Sequence, residues 1–228
     1  MLKQELLFVI KRLPRLILGL FICSVAILLT IYSGLGAGPW DVFHIGAINH
    51  IDITLGQISQ IVGLIVITVS FFIGVVPGIG TLLNIYLVGV FIDVLQSTNL
   101  LFTPTTLWGK LLMLAIGLWI FGWGSYFYIG SSLGAGPRDG LMLGLIKKSK
   151  KSVYFIRTII EVTVLVIGIL LGGPFGIGTI IISLTIGYSV QSAFKLGGYD
   201  PKAEEHRTIL NLINGYRYDR RKETDAKG

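Results

Sequence analysis

Cysteine occurs once in 228 residues, at Cys23, inside an apolar run. That single thiol excludes a disulfide framework within the chain and a cysteine-based metal site. Charge is also scarce: Asp, Glu, Lys and Arg make up 14% of the residues, against about a quarter in soluble domains. Lysine and arginine are missing outright from 34–56, 97–106 and 172–178. No Walker loop, nucleophile elbow or His-Glu-x-x-His is present. The sequence is therefore read as a non-enzyme, with no catalytic residue, no metal ligand set and no cofactor.

What fills the chain instead is apolar: 53% hydrophobic residues, 30 glycines and a mean hydropathy of +0.78. Six apolar stretches stand out, at about 16–33, 57–76, 81–96, 107–130, 153–171 and 179–194. Most reach the roughly 17–25 residues that cross a hydrocarbon core. The third and sixth, with helical cores at 81–95 and 179–194, are expected to fall short. The first run is long and is followed by no small-residue cleavage site, so it is expected to stay as a span.

Placement of charge predicts topology. Lys3, Lys11, Arg12 and Arg15 precede the first run; Arg138, Lys147, Lys148, Lys150 and Lys151 lie between the fourth and fifth; eight more lie from Lys195 onward. An even number of spans with both termini cytoplasmic puts every stretch free of Lys and Arg outside, as the positive-inside bias requires. The net charge of +7 is explained by orientation, and no nucleic-acid partner is expected.

The most informative feature is a repeat. Leu35-Gly36-Ala37-Gly38-Pro39-Trp40-Asp41 recurs as Leu133-Gly134-Ala135-Gly136-Pro137-Arg138-Asp139, and Gly78-Ile79-Gly80-Thr81 recurs as Gly176-Ile177-Gly178-Thr179, all at an offset of 98. Gly19/Gly117, Gly46/Gly144, Gly74/Gly172 and Gly89/Gly187 share that register. The chain divides into a first repeat at 1–98, a second at 99–196 and a basic tail at 197–228. Each repeat holds three spans, so the second enters the membrane from the opposite face. The expected fold is all-α and polytopic: six transmembrane helices from two inverted three-helix repeats, with short helices broken off by Gly-Pro.

Those breaks supply most candidate site residues. Gly36 and Gly38 allow positive φ or close approach, Pro39 suits a first helical position, and Asp41 falls in the first turn of a helix of about ten residues. Gly134, Gly136, Pro137, Arg138 and Asp139 form the second copy, ending near Lys147 and Lys148. Matched interruptions in two halves point to a transporter's central site, or alternatively to close helix packing. Arg138 aligns with Trp40, so the copies differ chemically; one expectation is an anion contact from Arg138 on the cytoplasmic face with Trp40 covering the other. Asp93, aligned with Gln191, and Glu161, four residues after Arg157, are the remaining candidates for a solute or ion. Arg157 and Glu161 are expected to pair. Asn84, Thr68 and Thr163 are expected to bond between helices, His44 and His50 to be solvated or interfacial, and Trp119, Trp123, Tyr126, Phe127 and Tyr128 to act as span-packing or belt aromatics.

The doubled Leu-Gly-Ala-Gly-Pro phrase and the Gly-Ile-Gly-Thr between spans resemble the YczE/YyaS/YitT group of bacterial integral membrane proteins, over about 10–196. Lacking the soluble C-terminal domain of the YitT branch, the chain is more similar to the YczE branch. The resemblance implies a six-span protein of the bacterial plasma membrane and no site assignments. Two functions remain open. One is a small secondary carrier with a solute or ion site between the breaks. The other is an accessory protein that docks a cytoplasmic partner through 131–153 and 197–228, with 208–213 as an amphipathic helix on the partner or on the lipid bilayer.

Overall fold

The structure, a computed structural model, describes residues 2–134, 136–199 and 208. Ala135 and nearly all of the basic tail, including the stretch 208–213 beyond Thr208, lie outside the described residues. Among those described there are eight α helices and no strand. They are α1 (Leu2–Tyr32), α2 (Pro39–Ile48), α3 (Leu55–Phe72), α4 (Ile79–Ser97), α5 (Leu107–Ile129), α6 (Pro137–Ser149), α7 (Val153–Leu170) and α8 (Ile177–Leu196). All but α2 and α6 are long and apolar enough to cross a membrane. Large apolar side chains on their outer faces are exposed, among them Phe72, Trp108 and Leu170. Surface of that kind on every span needs hydrocarbon around it.

Helix starts follow from local chemistry. Thr54, Thr106 and Ser152 cap α3, α5 and α7 by accepting from Gln57 N, Gly109 N and Phe155 N, each satisfying an otherwise orphaned donor. Pro39 and Pro137 stand at the first positions of α2 and α6, where the missing N–H costs nothing. In both Gly-Ile-Gly-Thr phrases the threonine hydroxyl reaches back to the leading glycine: Gly78 N donates to Thr81 Oγ1 at 3.1 Å and Gly176 N to Thr179 Oγ1 at 3.3 Å.

That cap corrects two expected boundaries. Helices α4 and α8 contain 19 and 20 residues, close to a full crossing at about 1.5 Å per residue. The glycines of the phrase open these helices rather than delaying them. The first span is also longer than its apolar run. Helix α1 begins at Leu2 and takes in Lys11, Arg12 and Arg15; the two arginines find partners at the end of α5, Arg12 donating to Ser131 O at 3.3 Å and Arg15 lying over the Tyr126 ring.

The helices pack in pairs related by the offset of 98. The equivalent helices α1 and α5 lie against each other. Gly19 faces Gly124 O and Tyr128 N, while Gly117 faces Ala26 O and Thr30. Adding 98 to one set returns the other. Helix α2 rests on α7 as α6 rests on α3. Gly178 N donates to Leu35 O at 2.7 Å, and Gly80 N donates to Leu133 O at 2.8 Å. Each broken motif is thus held by the opposite repeat. A Cβ at Gly36 would fall 2.6 Å from Thr179 Oγ1, and one at Gly134 would fall 2.8 Å from Thr81 Oγ1. Both glycines also have positive φ, +116° and +134°, so conformation and space independently require glycine there.

The pairing fails in one place. Helices α3 and α4 are tightly joined, but α7 packs on α2 and α6 and not closely on α8. In the first repeat Gly56, Gly63 and Gly89 bring the backbones together, and a Cβ on Gly89 would meet Gly56 O at 2.6 Å. Two of the matching positions carry Tyr154 and Glu161. The third, Gly187, faces open space.

Candidate functional site

A cavity of about 550 Å³ lies at the centre of the bundle, and all eight helices contribute to its wall. Both Gly-Pro breaks end on it: Gly38, Pro39, Trp40 and Asp41 from one copy, Gly136, Pro137, Arg138 and Asp139 from the other. Glu161 also lines it. These nine expected site residues are therefore brought together, and three are not. Gly36 and Gly134 serve the interlock between repeats. Asp93 accepts from Thr54 Oγ1 at 2.6 Å and from Gly56 N at 2.8 Å. Its carboxylate clamps the start of α3 to the end of α4.

Arg138 and Trp40 do not cover opposite faces. The guanidinium carbon lies 4.6 Å from the centroid of the Trp40 ring, a cation–π distance. Arg138 has accessible surface, and that surface faces the cavity. The charges of Asp41, Asp139 and Glu161 all act on it. Asp41 and Asp139 fold back toward their own N-cap glycines, with Oδ2 atoms 3.0 Å and 3.2 Å from where a Cβ would stand on Gly38 and Gly136. There a carboxylate complements the positive end of the helix dipole. Glu161 receives the Nε donor of Arg157 at 2.9 Å, the expected pair.

Two cavity groups were not legible as such. His44, expected to be solvated or interfacial, is only 2% exposed; its Nδ1 lies 3.9 Å from Asp41 Oδ1, too far for a hydrogen bond, and its Nε2 has no partner among the described residues. Tyr128, expected among the span-packing or belt aromatics, is 6% exposed, and its hydroxyl is likewise buried without a partner among the described residues. Both line the cavity. A buried polar atom left unpaired costs about 1–3 kcal/mol, so both atoms favour a polar partner in the cavity they line. Signals for both existed. His44 follows Asp41 by three residues, hence on one helical face, and Tyr128 aligns with Thr30, a second hydroxyl on the cavity wall. By contrast, His50 is exposed and its Nε2 lies 3.1 Å from Leu171 O.

The remaining polar span residues divide. Asn84 lines the cavity. Thr68 donates to Leu64 O within its own helix at 2.7 Å, the usual back-bond of a helical threonine, and Thr163 is exposed on α7. Neither supports the expected bonding between helices.

Comparison with known proteins agrees with a place in the membrane and names no ligand. A family described as a family of unknown function, DUF6198, matches residues 10–195. A Bacillus subtilis protein described as the uncharacterized membrane protein YczE is 37% identical over 79% of this chain and 86% of its own length. A Haemophilus influenzae protein described only as uncharacterized is 34% identical, over 79% of this chain and 82% of its own. The uncharacterized protein YyaS of Bacillus subtilis is 31% identical, over 72% and 83%. No solved structure matches. With a match running from the first span to the end of the last, this multi-pass membrane protein belongs to the DUF6198 family.

Proposed function

We propose that the protein is a small secondary carrier whose solute binds between the two Gly-Pro breaks. The observation that carries this reading is the central cavity, on which the N-termini of both short helices end. Its volume lies within the roughly 300–1,000 Å³ of small-molecule sites. Polar side chains in a membrane protein's interior are expensive and tend to mark a solute or ion path. Here they converge on one space, with His44 Nε2 and Tyr128 Oη left for a ligand to satisfy.

In this reading the two three-span halves are inverted, and the lysine-rich end of α6 and both termini face the cytoplasm of a bacterial cell. The reciprocal contacts between repeats support it, because they give the halves one shared set of interfaces about a pseudo-two-fold axis. A tight α3–α4 pair beside a parted α7–α8 pair is then one of two states, and exchanging those roles would move access across the membrane.

Val88 and Ile186 occupy equivalent positions and both line the cavity. With Cys23→Ser as background, Val88→Cys and Ile186→Cys are each expected to react with an impermeant thiol reagent applied from either face of the membrane. Labelling confined to one face in both variants would remove the carrier reading.

A further inference from the structure

The cavity has a chemical polarity and a side entrance, and the two agree. The polar part of its wall includes Trp40, Asp41, His44, Tyr128 and Arg138. The part on α8 is an apolar ridge that starts beside it, Ile182 Cγ2 lying 3.8 Å from where a Cβ would stand on Gly38. Ile182, Ile186, Val190 and Phe194 recur every four residues, all on the cavity wall, so they stack along one face of the helix over about 18 Å. On α4, glycines draw α3 tightly against the helix; here α7 stands away, and Gly187, beside the ridge, faces open space. The parting lies between two spans, so it opens toward the bilayer. The cavity wall includes Arg157 near the start of α7, Glu161 at its middle and Gln191 near the end of α8; the start of α7 follows the lysine-bearing end of α6.

The charge of the site limits the head group. Asp41, Asp139 and Glu161 face Arg138 and Arg157, a formal excess of one negative charge with histidine neutral. Each short helix contributes about half a positive charge at its N-terminus. The balance is close to zero. A head with a net charge of either sign would enter the membrane interior uncompensated, while one with paired donor and acceptor ends fits.

We propose that the ligand is a zwitterionic amphiphile that enters from the bilayer between α7 and α8, lays its apolar chain along the α8 ridge and sets its head against Arg138, His44 and Tyr128. This rests on the carrier reading and deepens it.

The test uses Trp40 as reporter, in the full chain in vesicles with Trp108, Trp119 and Trp123 changed to phenylalanine. The probes are an alkyl sulfobetaine brominated in its chain, and an alkyl sulfate and an alkyl trimethylammonium with the same brominated chain. The sulfobetaine is expected to quench Trp40 saturably, at about tenfold lower concentration than either charged probe, and Gly187→Leu to raise that concentration about tenfold again. A Cβ at 187 meets nothing within 4 Å, and thermal unfolding of Gly187→Leu that matches the parent's shows that the variant is folded. Equal or better quenching by a charged probe overturns the head-group assignment. Quenching unaffected by Gly187→Leu overturns the entrance. If no amphiphile reaches Trp40 but water-borne acrylamide does, bilayer entry fails and the carrier reading stands. If acrylamide fails as well, the cavity is sealed and both fail.

Discussion

Arg138 lies over the ring of Trp40, 4.6 Å from its centroid, and the two residues hold the same position in the two copies of one motif. The contact marks where the two copies of the motif meet and where they stop being chemically alike.

A double-mutant cycle on Trp40→Leu and Arg138→Gln should give a coupling of about 0.5–2 kcal/mol in chemical unfolding of the purified protein. Arg138→Lys should keep less than half of that coupling, because an ammonium retains the charge without the planar stacking surface. Full additivity of the two substitutions would show the ring contact to be incidental.

The aligned glycines Gly89 and Gly187 should respond oppositely to the same substitution. Gly89→Ala sets a methyl group 2.6 Å from Gly56 O and from the Gln60 side chain. It should cost about 1–3 kcal/mol, as overpacking does, and lower the apparent melting temperature by several degrees. Gly187→Ala should leave melting unchanged within about 0.5 kcal/mol or raise it slightly, since a helical glycine is worse than alanine.

Asp93 is assigned to structure, so its loss should be felt at the α3–α4 junction and not in the cavity. Asp93→Ala frees Thr54 Oγ1 and Gly56 N from their shared acceptor and should cost about 1–3 kcal/mol. Amide exchange should rise at the start of α3, while quenching of Trp40 by a bound amphiphile keeps its concentration dependence. A selective loss of binding with intact stability would return Asp93 to the site.

Tyr128→Phe should separate stability from binding. It removes a buried hydroxyl that has no partner among the described residues, so unfolding should be unchanged or harder by up to about 1 kcal/mol. Ligand affinity should fall about fivefold to tenfold, the worth of one hydrogen bond. Lower stability would mean that the hydroxyl has a partner within the fold.

The sequence alone determined the class and the plan. Low charge, six apolar runs and their flanking lysines require a membrane protein. A doubled motif at an offset of 98 requires two like units, because side chains and backbone with the same local preferences fold the same way. Pro39 and Pro137 placed the starts of two short helices for the same local reason, and the i, i+4 spacing of Arg157 and Glu161 gave their pairing. Tertiary structure decided everything that depends on which surfaces meet. Asp93 and Asp41 are both carboxylates near helix ends, yet one clamps two helices and the other lines a cavity; only the neighbour across the interface separates them. His44 reads as a solvated or interfacial histidine until α7 packs on α2. The same glycine is packed at 89 and open at 187, because Gly56 faces the first and the helix carrying Tyr154 and Glu161 stands away from the second. Local sequence sets each helix, and the volume left between helices belongs to the assembled fold.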